Sequence, residues 1–220
     1  MRTRHVVASA GELEFERVVF FSDAVFAIAI TLLVINIRVP APPGSRATLA
    51  QFAHELAGQT GRILSWALSF YVVGRYWTNH HAMFRHIARF DRRLVGLNLL
   101  LLACIAFMPY ATNVVGEWGG SGPGAAFYAA CLAVAGLAQG AVWFHAARRG
   151  RLTASHVPPA LANRYLLSLL QPPVVFLASI PVAFVSPLAA ECLWGLNVVG
   201  WRVLRRRVEA ALDETEPAGG

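Results

Sequence analysis

Lysine is missing altogether from this chain of 220 residues, so all 19 of its basic residues are arginine. Charge of either sign is scarce. With 14% charged and 56% hydrophobic residues, against about 25% charged in soluble domains, the composition excludes an ordinary water-soluble domain and fits a polytopic membrane protein. Cysteine is nearly absent too: Cys104, Cys131 and Cys192 lie in apolar runs at no metal-ligand spacing, which leaves them as small buried hydrophobes. No cleavable leader is evident, because the first apolar run is full length and lacks a small-residue cleavage site. The net charge of +7 invites nucleic-acid binding. Against that reading, the arginines fall between apolar segments and form no basic module.

What the chain does have is a series of long apolar runs. The first extends from about Val18 to Ile37, ended by Arg38 and the Pro40–Gly44 segment, since proline cannot continue a helix. Residues 45–59 are mixed and suit a short interfacial helix. The second span, Ile63 to Trp77, is the weakest, with only twelve charge-free residues between Arg62 and Arg75. The polar segment Thr78 to Arg93 is expected to carry that helix onward before a turn. Leu94 to Val115, Ala125 to Ala147, Tyr165 to Val185 and Leu188 to about Leu204 are the third to sixth spans. Gly136 and Gly140 in the fourth favour close packing, and Pro172, Pro173 and Pro181 interrupt the fifth. The expected organisation is a polar segment 1–17, a membrane domain 18–204 and a polar tail 205–220. With the N-terminus inside, 16 arginines fall on the cytoplasmic side and only Arg38, Arg46 and Arg62 on the other, so both termini are expected in the cytoplasm.

The first run is chemically the most informative. It holds Ser22 and Asp23 near its start and Thr31 in its middle, and an ionisable group inside a span normally faces protein or water. At roughly 100° per residue, Ile28, Thr31, Leu32 and Ile35 share one face, while Ser22 and Asp23 point well away from it. One side therefore suits lining something narrow or plain packing. The other suits being held by neighbouring helices.

Phe21-Ser22-Asp23 followed by Ala27 to Val34 resembles the signature of the transmembrane-protein-175 potassium channel family. Trp77, His80, His81 and Phe84, and then Asp91, Leu94, Asn98, Pro109 and Thr112, match the pattern of that family's second and third helices. The likeness covers roughly the first half of the chain.

The resemblance implies an all-α polytopic channel of about six transmembrane helices per chain, a homotetramer with the first helix lining a central pore. Ile28 would form the narrowest ring, with Leu32 and Ile35 as further apolar layers and Thr31 free to coordinate ions or to bond back to its own helix. Ser22 and Asp23 would enter a polar network with Arg17, His80 or His81, and Asn98. The alternative for Asp23 is a cytoplasmic mouth that concentrates cations. Potassium and other monovalent cations, membrane lipids and further copies of the chain are the implied partners. The cell membrane is the implied location, and no cofactor is implied. Asn36 departs from the family, where an acidic residue is common.

No T-V-G-Y-G-like loop occurs, so a carbonyl filter of the usual kind is excluded and ion preference must arise at side-chain rings. His80 and His81 are adjacent, diverge on a helix, and cannot share one metal. Glu191 stands alone near the outer end of the sixth span, where headgroup-level solvation suits it. A cation- or proton-coupled secondary transporter using Asp23 or Glu191 is the competing expectation, although no broken-helix partner to the fifth span is found. A membrane enzyme ranks last, for want of paired carboxylates or a nucleophile motif at membrane depth.

Overall fold

Apolar runs of this length can satisfy their backbone polar groups within a bilayer only as helices, and helices are what the chain forms. The computed structural model describes residues 10–38, 48–148, 152–154 and 157–195. Helix α1 spans Ala10–Leu32 and passes into a 3-10 turn, Leu33–Asn36. It is followed by α2 (Leu49–Ala57), α3 (Thr60–Arg85), α4 (Arg92–Trp118), α5 (Gly122–Ala147) and α6 (Pro159–Val185). Helix resumes over 187–195. The rest of the expected sixth span, the tail 205–220 and the proline-rich stretch after Arg38 lie outside the described residues.

Among the described residues, four helices are long and apolar enough to cross a membrane: Phe15–Ile35, Arg92–Trp118, Gly122–Ala147 and Pro159–Val185. Helix α3 is not one of them by composition, yet its 26 residues reach roughly 39 Å at 1.5 Å per residue. Its buried face explains the weak signal. Ser69, Val72, Val73, Tyr76, Asn79, His80, Met83 and Phe84 recur at helical spacing, so polar residues occupy core positions.

One expected boundary needs correcting: helix α1 begins at Ala10 rather than about Val18. Helix α3 carries on past Trp77, as expected, and ends at Arg85. The cause is a tie from far along the chain. Ala88 N–H donates to the Leu152 carbonyl at 2.8 Å and Ala154 N–H to the His86 carbonyl at 3.0 Å, fastening the α3–α4 connection to the segment after α5. Asp91 then caps α4 by accepting from Leu94 N–H at 2.7 Å, and that bond, above all, holds its carboxyl below the usual range. Helix α2 falls within the mixed stretch 45–59, is capped by a box of Thr48 and Gln51, and buries none of its residues, as an interfacial helix should.

Helix α5 is the centre of the bundle. Its alanines and glycines let α4 and α6 approach closely. A Cβ on Gly136 would stand 3.0 Å from the Pro173 ring, and one on Gly140 would stand 2.7 Å from Leu170 Cδ2. Because lipid is as apolar as the core, hydrogen bonds between helices take a larger part in fixing their places. Tyr76 Oη donates to the Leu132 carbonyl (2.7 Å), Gln139 Nε2 to the Tyr76 carbonyl (2.9 Å) and Trp143 Nε1 to the Ala162 carbonyl (2.9 Å). Trp194 Nε1 donates to Ser179 Oγ at 2.8 Å, tying the last helical run to α6.

Candidate functional site

Helix α1 rests on α3 and α4 through one narrow stripe. Ser22, Phe26, Ala29 and Leu33 are buried, at i, i+4, i+7 and i+11. The opposite face is bare: Ile28 is 58% exposed, Leu32 41% and Ile35 69%, with Thr31 exposed among them. The four residues expected to line a narrow path thus share a face that this chain leaves uncovered. Thr31 Oγ1 donates to the Ile28 carbonyl at 2.9 Å. Its proton is spent on its own helix, which leaves the oxygen lone pairs directed outward.

Behind that face a polar chain fixes the helix. His80 Nε2 lies 2.8 Å from Asn98 Oδ1, Asn98 Nδ2 donates to Ser22 Oγ at 2.9 Å, and Ser22 Oγ donates to the Val18 carbonyl at 2.8 Å. The direction of every bond follows from the last. A backbone carbonyl can only accept, so Ser22 must accept from the Asn98 amide, and His80 must carry its proton on Nε2. Ser22, His80 and Asn98 are all essentially inaccessible to solvent. The His80 ring is further stacked on Phe84, 4.3 Å between centroids, and tilted against Phe26 at 5.5 Å. Three helices meet at this one chain of donors.

The structure brings Ser22, His80 and Asn98 of the expected network together and places its other members elsewhere. Asp23 is half-buried and accepts not from a histidine but from Trp77 Nε1, at 2.9 Å. His81 is exposed and lies beside the Trp77 ring, 6.1 Å between centroids, turned from His80 because adjacent residues diverge by about 100° on a helix. Arg17 is exposed, and its place on α1 turns it away from Ser22. Trp77 was visible in the motif, but an indole at helical spacing reads equally as core packing. Asp91 also accepts from His145 Nε2 at 3.0 Å, joining the start of α4 to the end of α5.

The opposite end of α1 is held by charge. Arg62 on α3 pairs with Glu117 on α4 at 2.7 Å, and Arg38, just past the 3-10 turn, lies 3.7 Å from the same carboxylate. The apolar run of α1 is therefore pinned at both ends while its exposed face stays clear. A second buried cluster, Ser69, Thr112 and Tyr128, joins α3, α4 and α5 midway: Ser69 Oγ stands 2.8 Å from both Thr112 Oγ1 and Tyr128 Oη. Hydroxyls scattered on three separate apolar helices gave no sequence signal of this meeting.

Residues 17–109 match the family model described as the endosomal/lysosomal potassium channel TMEM175. A protein of Streptomyces collinus named as a potassium channel is 39% identical over 162 residues, covering 71% of this chain and 77% of that one. Another so named, from Chamaesiphon minutus, is 30% identical over 198 residues, 82% of this chain and 90% of that one. The fold is similar to the crystal structure of a lysosomal potassium-selective channel TMEM175 homolog from Chamaesiphon minutus. The TM-score is 0.71 at 27% identity, over 89% of this chain and 98% of that chain.

Proposed function

The chain belongs to the TMEM175 potassium channel family, and on that premise we propose that it is a potassium-preferring cation channel whose path runs between copies of α1. The observation that carries this reading is the asymmetry of α1: a back pinned by a buried polar chain, and a front of Ile28, Thr31, Leu32 and Ile35 that none of the described residues covers. One lining helix cannot enclose a path, so four copies around a closed rotational axis supply the ring. Six helices per copy, with 18–204 as the channel domain and polar segments at 1–17 and 205–220, complete the unit. Ile28 forms the narrowest ring. A narrow apolar ring sheds its water and raises the cost of passing an ion, which makes it the gate. Thr31 presents oxygen lone pairs one turn further along, and Leu32 and Ile35 form wider apolar layers.

The arginine distribution supports a cell-membrane orientation with both termini in the cytoplasm. The Ser22–His80–Asn98 chain then sits at the cytoplasmic half of α1 and the Arg38–Arg62–Glu117 group at its outer end. Asp23 serves the packing of α1 through Trp77.

Recording single purified proteins in a planar bilayer, potassium on one side and sodium on the other, tests the assignment. Unitary current steps are expected, with a reversal potential displaced toward the potassium equilibrium value. Smooth flux with no unitary steps would instead be the behaviour of a transporter.

A further inference from the structure

At the end of the bundle away from the polar chain, α3, the end of α4 and the helical run 187–195 line a half-open pocket of about 650 Å³, whose Leu64 and Leu188 are themselves largely exposed. That is the size range of sites for small organic ligands. Its walls are mainly apolar, with Leu64, Leu68, Val115, Pro187 and Leu188 among them, and among the described residues no basic side chain lines it. Two carboxylates do. Glu117 is already engaged by Arg62 at 2.7 Å. Glu191 is half-buried, and among the described residues neither a hydrogen bond nor an ion pair reaches it. The Glu191 carboxylate stands over Gly119, where an added Cβ would lie 3.4 Å from Oε1. The carboxylate faces this pocket while keeping partial access to solvent.

A carboxylate partly withdrawn from water without a partner loses some of its solvation, and a cation offsets that loss. The walls decide which cation. A bare potassium ion needs several oxygens to replace its hydration shell, and one carboxylate among leucines does not supply them. A transition metal needs further ligands, and among the described residues no cluster of three His, Cys, Asp or Glu side chains exists. A charged head on an apolar body satisfies both the carboxylate and the walls.

We propose that this cavity binds an organic ammonium, its head against Glu191 and its body along Leu64, Leu68, Val115 and Leu188. Two sources share that chemistry, a soluble amine and the ethanolamine headgroup of a lipid. The test of this site does not depend on ion flow.

The full chain in phosphatidylcholine nanodiscs is titrated calorimetrically with hexylammonium chloride and, separately, with 1-hexanol, empty discs serving as the blank. Hexylammonium is expected to bind saturably, about one per chain, and hexanol at least tenfold more weakly. Glu191→Gln, nearly identical in shape, weakens hexylammonium about tenfold and leaves hexanol unchanged, whereas Leu64→Trp fills the cavity and removes both. Equal affinity of Glu191→Gln and the parent chain for hexylammonium overturns the proposal, as does absence of saturable binding. With phosphatidylethanolamine in the discs, a lowered affinity for hexylammonium identifies the lipid as the source, and an unchanged one the soluble amine.

Discussion

Replacing Ile28 by asparagine raises the single-channel current by about tenfold and brings the potassium-to-sodium permeability ratio close to one. A tenfold rise corresponds to removing roughly 1.4 kcal/mol of barrier, which amides in place of aliphatic groups around the proposed ring achieve by wetting the constriction. Folding does not account for such a change. Ile28 is 58% exposed and takes no part in the contacts of α1 with α3 and α4, so the stability of the single chain stays within about 0.5 kcal/mol. Thr31 bears on the same result. Its outward oxygen lone pairs remain in place in the variant, so any potassium preference that survives the substitution is traceable to that ring. A current unchanged from the parent channel removes Ile28 from the gate.

The second large effect lies behind the helix. Asn98→Leu, close in volume, leaves two buried groups without their partner: the His80 Nε2–H loses its acceptor and Ser22 Oγ its donor. Each stranded group costs about 1–3 kcal/mol, so the variant is expected to lose roughly 3 kcal/mol of stability, read as a shift of the denaturation midpoint of the reconstituted protein. Removing the second partner as well, in His80→Leu combined with Asn98→Leu, recovers part of the loss because a stranded donor is replaced by apolar surface. A midpoint unmoved by Asn98→Leu would show that the polar chain does not hold α1 in place. Unlike Ile28→Asn, this change acts on the position of α1 and on its survival in the assembled channel, not on the path itself.

How much of this was legible in the sequence varied with how local the cause was. The 3.6-residue period of α1 placed Ile28, Thr31, Leu32 and Ile35 on one face and Ser22 on another, and the structure separates the same residues into bare and buried faces. Ser22, Asp23, Arg17, Asn98 and one of His80 or His81 were legible as a group through the family resemblance and their common depth, but which of them bond to one another was not. Glycines 136 and 140 read correctly as places of close approach. What was not legible depends on contacts distant along the chain. The end of α3 at Arg85 is set by residues 152–154, and the pairing of Arg62 with Glu117 spans 55 positions. The choice of Trp77 over a histidine as the partner of Asp23 depends on the angle at which α1 crosses α3, which no pattern in either helix states. Helix α3 itself was nearly overlooked for an instructive reason: the serine, asparagine and histidine that weaken its apolar signal are the groups that tie it to its neighbours.

The measurement that bears most directly on four α1 helices converging about one axis is thiol modification of Ile28→Cys during single-channel recording, with the exposed Cys192 replaced by serine. A membrane-impermeant, positively charged methanethiosulfonate reaches a thiol in a water-filled path but not one facing lipid. If α1 lines the path, the reagent stops the current abruptly and reduction restores it. If Ile28 faces lipid, the current continues unchanged in the presence of the reagent.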